Sequence, residues 1–585
     1  MDGYQRIAIN LCSGNIKRTD VDLKNTSVEE RLGGVSRGIN AVGQQLFNHS
    51  DLDDAYDTRS MLSFDLGFIT GSSVISARRV FLSGLSPLKT SRSGSNGIYY
   101  SAASGDFGPY LKSTGIDSLL ITGKANEPMF LEIGEDGVRI LPAKGLIGKT
   151  TKDKIRVLSE IYQNAAFAVI GTAGENKVRF ANVAISTSDD IKGKSGHMRF
   201  LGRGGFGAVL GSKNLLGIVV KRGGGKHKLD AKAINKEIVA SPKSKKYTEK
   251  GTFASNIEGL PLLGLGLFDN FTKSNTPLYR ERVEKLYSEK VAEDGLTVKT
   301  KGCTGCTIKC WKEVCEKENI LGKIDYEPGA LLGPNIGIFD LRQIMQLITI
   351  GDEMGMDTIS LGGAIAFAME RDNRFGDFAY AYSLAKKIGE GKDTLSEGVM
   401  RVSGYDHSYA LHVKGLELPG YLGNVNPGYA FAVAGLHMSM DTYNRAWYPD
   451  AENSLEEWAE NCKRGSNIIL YDLIGLCKFA KPSLGAIAGL YEQVYGEINE
   501  EELFQAARRV YLSARLIDER LGFTADDDVL PLRCHRNIGS NIPHFNTLEF
   551  FLELKKHVYK EMKKEIESLN LTDPKERLCT KKMVA

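Results

Sequence analysis

The first 215 residues carry apolar positions on a short period. In Arg6-Ile-Ala-Ile-Asn-Leu11 the apolar residues Ile7, Ile9 and Leu11 alternate, Ser13-Gly-Asn15 offers a turn, and Ile16 to Val21 continues as a second stretch. A two-residue period broken by a glycine turn predicts a β-hairpin. Ser118–Gly123, Pro128–Ile133 and Ala166–Gly171 are further strand candidates. Past about residue 225 the period lengthens. Leu229–Val239, Pro277–Val291, Leu341–Met354, Thr358–Arg371, Phe378–Gly389, Leu455–Leu473 and Glu500–Leu521 repeat apolar residues every three or four positions, which predicts amphipathic helices, often closed by glycine. Residues 402–450, with Leu416-Glu-Leu-Pro-Gly420 and Asn426-Pro-Gly428, read as a loop-like separator. The expectation is an α+β chain. A β-rich domain spans 1–215, and two mainly helical domains span 216–415 and 416–585. The charged tail from Pro574 is expected to be poorly ordered.

Composition narrows the function classes. A chain of 585 residues is too long for one core and suits roughly three domains. A net charge of +3 points to no polyanionic partner, so nucleic acid is not expected. The basic run Ser241-Pro-Lys243-Ser-Lys245-Lys246 reads as solvated surface. No apolar run reaches the ~18–20 residues of a membrane span, and Met1-Asp-Gly-Tyr-Gln-Arg-Ile7 has no apolar signal core. Cysteines that cluster, rather than spread as a disulfide framework, point to a reducing compartment, the cytoplasm.

That cluster is the strongest chemical signal. Cys303, Cys306 and Cys310 stand in C-x2-C-x3-C order, and Cys477 follows far along the chain. Four thiolates suit a cubane iron–sulfur cluster. The radical enzymes that use S-adenosylmethionine space their cysteines in the reverse order. A four-cysteine zinc site is the competing reading, but such sites usually pair two short hooks and Cys477 has none.

One pattern occurs twice. Asp352-Glu-Met-Gly355-Met356-Asp357 and Asp472-Leu-Ile-Gly475-Leu476-Cys477 both follow a predicted helix and precede another. The glycine fits a left-handed C-cap. A carboxylate in the last helical turn opposes the macrodipole, so its repetition suggests that each aspartate binds something.

Taken together, these blocks resemble the tungsten-containing aldehyde:ferredoxin oxidoreductase family from about residue 3 to about residue 535. The resemblance also includes Asp106-Phe-Gly-Pro-Tyr-Leu-Lys112, Gly202-Arg-Gly-Gly-Phe-Gly207 running on to Asn214, Tyr326-Glu327 with Leu332-Gly-Pro-Asn335, Val413-Lys-Gly-Leu-Glu-Leu-Pro419 and Asp526-Asp-Asp-Val-Leu-Pro531. It implies a β-rich base carrying two pterins under two helical domains. It also implies one tungsten held between two pterin dithiolenes (a tungstopterin, with molybdenum the alternative metal) and magnesium joining the pterin phosphates. Asp352 and Asp472 match the pterin-edge positions, where a carboxylate accepts paired N–H bonds. Asp357 resembles a second acceptor, and Leu476 and Cys477 lie against one pterin. Arg79 and Asn96 match positions near the phosphates and magnesium, and Gly202, Arg203, Gly204 and Gly205 match a phosphate-facing loop before a helix.

Glu327 matches a glutamate beside the metal, where a dry pocket raises its pKa and suits proton transfer. His437 is the nearest candidate for the partner histidine, with Asp441 the neighbouring register. The implied reaction is oxidation of an aldehyde with water to a carboxylic acid. Electrons would leave through a 4Fe–4S cluster on Cys303, Cys306, Cys310 and Cys477 to ferredoxin or a ferredoxin-like subunit; oligomeric state stays open. Two alternatives accompany it: a branch of the family that reduces an aromatic acyl-CoA ring, and a non-catalytic iron–sulfur relay subunit.

Overall fold

The computed structural model describes residues 3–192, 197–272, 276–404, 408–421, 425–442, 453–537 and 543–571. The tail from Pro574 and Cys579 lie outside the described residues. Two six-stranded sheets form the first part of the chain. The first contains β1 (Gly3–Asn10), β2 (Asn15–Asp22), β3 (Leu62–Leu66), β4 (Val80–Thr90), β5 (Asn96–Ala103) and β6 (Ile116–Thr122), in the order β2-β1-β6-β3-β4-β5. The second contains β7 (Met129–Gly134), β8 (Gly137–Pro142), β9 (Ala165–Ile170), β10 (Val183–Ile185), β11 (Arg199–Leu201) and β12 (Leu215–Lys221), in the order β11-β10-β9-β12-β7-β8. Each sheet has one parallel pair, β1 with β6 and β7 with β12; its other pairs are antiparallel. The hairpin at the N-terminus forms as the alternation predicts, turning at Gly14 with φ +71°. β4 and β9 are buried along their whole length; β9 reads as an unbroken apolar run, Ala-Ala-Phe-Ala-Val-Ile, while β4 carries Ser83, Ser86 and Lys89 inside. β12 runs past residue 215, so the second sheet extends the base to Lys221.

Beyond the base the chain is mainly helical. Helices Leu341–Met354, Thr358–Arg371 and Phe378–Gly389 have the bounds that their periodicity predicts. The stretch Leu455–Leu473 breaks into Leu455–Gly465 and Ile469–Ile474 around a single tighter turn, and Pro277–Val291 breaks into Pro277–Glu284 and Ser288–Glu293. Helix Pro242–Leu262 went unpredicted because Gly251, at φ +69°, breaks its regular path and with it the periodicity. A three-stranded sheet of β13 (Leu296–Lys301), β14 (Trp311–Glu316) and β15 (Asn319–Ile324) interrupts the helical part. A short hairpin, His412–Val413 with Leu416–Glu417, straddles the expected boundary at 415.

Buried ion pairs stitch the parts together. Lys89 on β4 reaches Asp518 at 2.5 Å and the Val433 carbonyl at 2.8 Å. Lys414 meets Asp528 at 2.6 Å, and Arg515 meets the same carboxylate at 2.5 Å. Removing one partner of such a pair leaves a buried charge uncompensated, so these lysines and aspartates are structural. Among the described residues no helix is long and apolar enough to cross a membrane.

Candidate active site

The cysteine loop is a hairpin connection. Lys301 pairs with Trp311 across β13 and β14, which leaves residues 302–310 as the loop between them. Gly305 at φ +70° and Lys309 at φ +47° turn it tightly, and the Cys306 N–H donates to the Cys303 carbonyl at 3.0 Å. Cys477 reaches the loop from the far end of the chain. Burial raises the Cys306 and Cys310 thiols, Cys310 well above the usual range, and in both the fields of Cys303 and Cys477 add to the rise. Cys306 and Cys477 meet at Ser76, whose hydroxyl lies 3.2 Å from Cys306 Sγ and whose carbonyl accepts the Cys477 N–H at 3.3 Å. Among the described residues no three His, Cys, Asp or Glu side chains converge tightly enough for a single ion. Cys315, Cys462 and Cys534 are buried and Cys12 is exposed.

Both repeated motifs end helices as the pattern predicts. Gly355 and Gly475 are left-handed C-caps at φ +79° and +92°. Each helix end sits down on the base through a glycine. A Cβ on Gly171 would overlap the Met354 carbonyl, and one on Gly67 would overlap the backbone at Ile474 and Gly475. Asp352 pairs with Lys323 at 3.2 Å and Asp472 with Lys478 at 2.5 Å. Burial raises both carboxyl groups, and the lysine beside each opposes the rise. The Lys323 ammonium lies 4.9 Å from the Phe200 ring centroid and the Lys478 ammonium 5.9 Å from that of Tyr100.

Between these helix ends and the base lies a cavity of about 350 Å³. Arg79, Gly202, Arg203, Glu327, Asp357, His437 and Asp472 all reach its wall, so the structure brings seven of the expected residues together. Glu327 lies in the helix Tyr326–Leu331, one residue after Tyr326, whose hydroxyl donates to the Gly420 carbonyl at 2.6 Å. The Gly420 N–H donates back to Glu327 Oε2 at 2.5 Å. This clamp leaves Oε1 3.5 Å from His437 Nε2. Burial pushes the Glu327 carboxyl up to about 7. Burial, helped by Arg203 and Lys478, pushes His437 down to about 3. The imidazole is neutral near pH 7, so the two are not an ion pair.

Other expected residues stand off the wall. Asp352 lies behind it, against Lys323. Asp441 pairs with Lys481 at 2.6 Å and lines a separate groove. Leu476 is core. Gly204 and Gly205 are needed for packing, since a Cβ on them would overlap the Tyr99 ring and the Arg179 carbonyl. Asn96 does not reach the cavity. Its Oδ1 accepts from the Ala55 N–H at 2.9 Å, and its amide lies against Pro87 and Thr90. Asp357 caps helix Thr358–Arg371, accepting from Ile359 N–H at 3.1 Å, and its other oxygen accepts from Ser360 and Arg203. Its acceptor capacity is largely taken by the chain itself.

Sequence reasoning missed Arg199, Tyr100, Lys243 and Lys478 on the wall. Lys478 carried a signal, following Cys477 directly; Arg199 stands four residues before Arg203.

The profile described as "Aldehyde ferredoxin oxidoreductase, N-terminal domain" matches residues 6–222, and "Aldehyde ferredoxin oxidoreductase, domains 2 & 3" matches residues 230–565. A tungsten-containing aldehyde ferredoxin oxidoreductase of Pyrococcus horikoshii is 30% identical over 91% of this chain and 92% of its own. The WOR-like subunit of an aliphatic sulfonate oxidoreductase of Pyrococcus furiosus is 28% identical over 68% of each chain. Among solved structures, the active-site complex of benzoyl coenzyme A reductase with 1,5-dienoyl-CoA shares the fold, with a TM-score of 0.78 and 18% identity over 97% of both chains. The chain belongs to the aldehyde ferredoxin oxidoreductase family, and so to the oxidoreductases whose relatives carry tungsten.

The residues present fit the tungsten-pterin group that this family implies. Arg79, Arg199, Arg203, Lys243 and Lys478 give the wall the cations that phosphates require, set among the carboxylates of Asp325, Glu327, Asp357 and Asp472. Asp472 on the wall and Asp352 behind it supply carboxylates for pterin edges. Arg79 Nε, Arg203 Nη1 and Glu327 Oε1 are buried with no hydrogen-bond partner among the described residues. Buried polar atoms left in this way call for a ligand or water.

Proposed function

We propose that this chain holds a tungsten bis-pterin in the cavity, with magnesium joining the pterin phosphates, and oxidises an aldehyde and water to a carboxylic acid, two electrons and two protons. The electrons pass singly through a 4Fe–4S cluster on Cys303, Cys306, Cys310 and Cys477 to ferredoxin or a ferredoxin-like subunit in the cytoplasm. The observation that carries this reading is Glu327 facing His437 across 3.5 Å in a cavity that also holds Asp472. When bound, the tungsten group supplies a two-electron acceptor and a Lewis acid for the substrate oxygen. Arg79 and Arg203 hold the phosphates, and Asp472 and Asp352 accept from the pterin edges.

The chain's own chemistry rests on Glu327 and His437. With its pKa near 7, Glu327 is about half ionised at neutrality, so it can both take and release a proton. The Gly420 N–H holds Oε2, which leaves Oε1 to accept the proton from water or the aldehyde hydrate. Neutral His437 offers one ring N–H to orient the substrate carbonyl without adding charge. A relay subunit would have no use for a carboxyl clamped and tuned in this way.

The test is Glu327→Gln. Tungsten and iron content should stay unchanged, while aldehyde-dependent viologen reduction falls roughly 10²–10⁴-fold, the usual share of general acid–base catalysis. Because the raised pKa means Glu327 accepts only when ionised, wild-type activity should climb as pH rises through about 7, and this limb should vanish in the variant. Normal turnover by the variant on every active aldehyde would remove the general base. The screen includes an aromatic acyl-CoA under reducing conditions; ring reduction without aldehyde oxidation would move the chain to that branch of the family.

A further inference from the structure

Ser76 lies between β3 and β4, in a segment pinned on both sides. The Ile75 N–H donates to Asn235 Oδ1 at 2.8 Å, and the Asn235 amide returns to the Ser73 carbonyl at 3.0 Å. Ser76 itself is 5% exposed and holds φ at +68°, in the left-handed region that favours glycine. A serine there carries backbone strain, yet the position is not glycine. Its carbonyl accepts the Cys477 N–H at 3.3 Å, and its hydroxyl lies 3.2 Å from Cys306 Sγ. One strained residue of the base therefore touches two of the four proposed cluster cysteines, one from the hairpin loop and one from the second helix end. Observed strain at a functional contact is the kind that motivates a functional hypothesis.

We propose that Ser76 sets the reduction potential of the iron–sulfur cluster by donating a hydroxyl hydrogen bond to the Cys306 sulfur. The inference rests on the cluster reading above. A cysteine sulfur bound to iron carries no proton, so in this pair the serine is then the donor. A donor to a cluster sulfur stabilises the reduced form, which carries the additional negative charge, and so raises the potential. The sulfur of Cys477 has its own donor in Arg79, whose Nη2 lies 3.2 Å away. The Cys306 and Cys477 sulfurs are thus both addressed from the one connection between β3 and β4.

Ser76→Gly removes the hydroxyl together with Cβ, and glycine adopts φ +68° without strain. Ser76→Ala removes the hydroxyl while keeping a Cβ. The experiment is an EPR-monitored redox titration of anaerobically purified wild type and both variants, with iron and tungsten content measured alongside. Both variants should keep their metals and show the cluster midpoint shifted to more negative potential. In deuterated water, the wild type should show an exchangeable deuteron coupled to the cluster that both variants lack. An unchanged or more positive midpoint in both variants overturns the proposal, and iron loss from both would make Ser76 a structural clamp and overturn it as well. Absence of any four-iron cluster in the wild type would overturn the underlying cluster reading, which separates the two failures.

Discussion

The helix ends at Asp352 and Asp472 share the aspartate, the glycine and an apolar fifth residue of the motif, and at the sixth one has a carboxylate and the other a thiol. Each has an aspartate paired to a buried lysine near an aromatic ring, and each closes on a left-handed glycine that sits against the base. The first then places Asp357, which caps the next helix and holds Arg203. The second places Cys477, which meets Arg79 and, through Ser76, approaches Cys306 of the loop. A carboxylate at this point is satisfied by a helix N-terminus and a guanidinium, so it closes the structure inward. A thiol at this point caps no helix, though it too meets a guanidinium, that of Arg79. One repeated local solution thus delivers a structural cap on one side of the cavity and, in the proposed function, a cluster ligand on the other.

The sharpest break of this comparison is Cys477→Ala. It should lose most of the about four irons per chain and lower pterin occupancy with them. Cys462→Ala should keep its iron. A full cluster in Cys477→Ala would remove the fourth ligand and with it the asymmetry between the two ends.

Next in size come Asp472→Asn and Asp352→Asn. Each swaps an acceptor for a donor beside a buried lysine. Tungsten per chain should fall in both, and more for Asp472, whose side chain is 2% exposed against 17% for Asp352. Iron should be retained in both. Equal occupancy in the two variants would show that the cavity wall does not distinguish its two carboxylates.

The smallest effect belongs to the sixth residue of the first motif. Asp357→Ala loses a helix cap and leaves Arg203 without its carboxylate, a cost of about 3 kcal/mol for breaking a buried pair. Denaturant midpoints should fall, with iron content unchanged. Iron loss in this variant would mean that Asp357 supports the cluster side too.

Where structure is local, residue patterns along the chain sufficed. The helices Leu341–Met354, Thr358–Arg371 and Phe378–Gly389 carry their own stops and starts. Asp340, Asp357 and Asp377 accept from the N–H groups of their first turns, and Gly355 closes the first. The cysteine spacing likewise needs only a short loop. β13 to β15 stayed hidden because β13, Leu-Thr-Val-Lys-Thr-Lys, is mostly exposed and has no apolar face to show.

Resemblance brought Glu327 and His437 into view as single residues. That they face each other, and that burial sets one near 7 and the other near 3, follows from packing between segments far apart in the chain. Resemblance also pointed to Asn96, whose side chain the fold spends on its own backbone. Spacing and periodicity are properties of neighbours, so the amino-acid sequence determined the two helix ends, the thiol loop and the family. Desolvation, ion pairing and the meeting of Cys477 with Arg79 and Ser76 depend on what lies across the interior, and only the tertiary structure decided those.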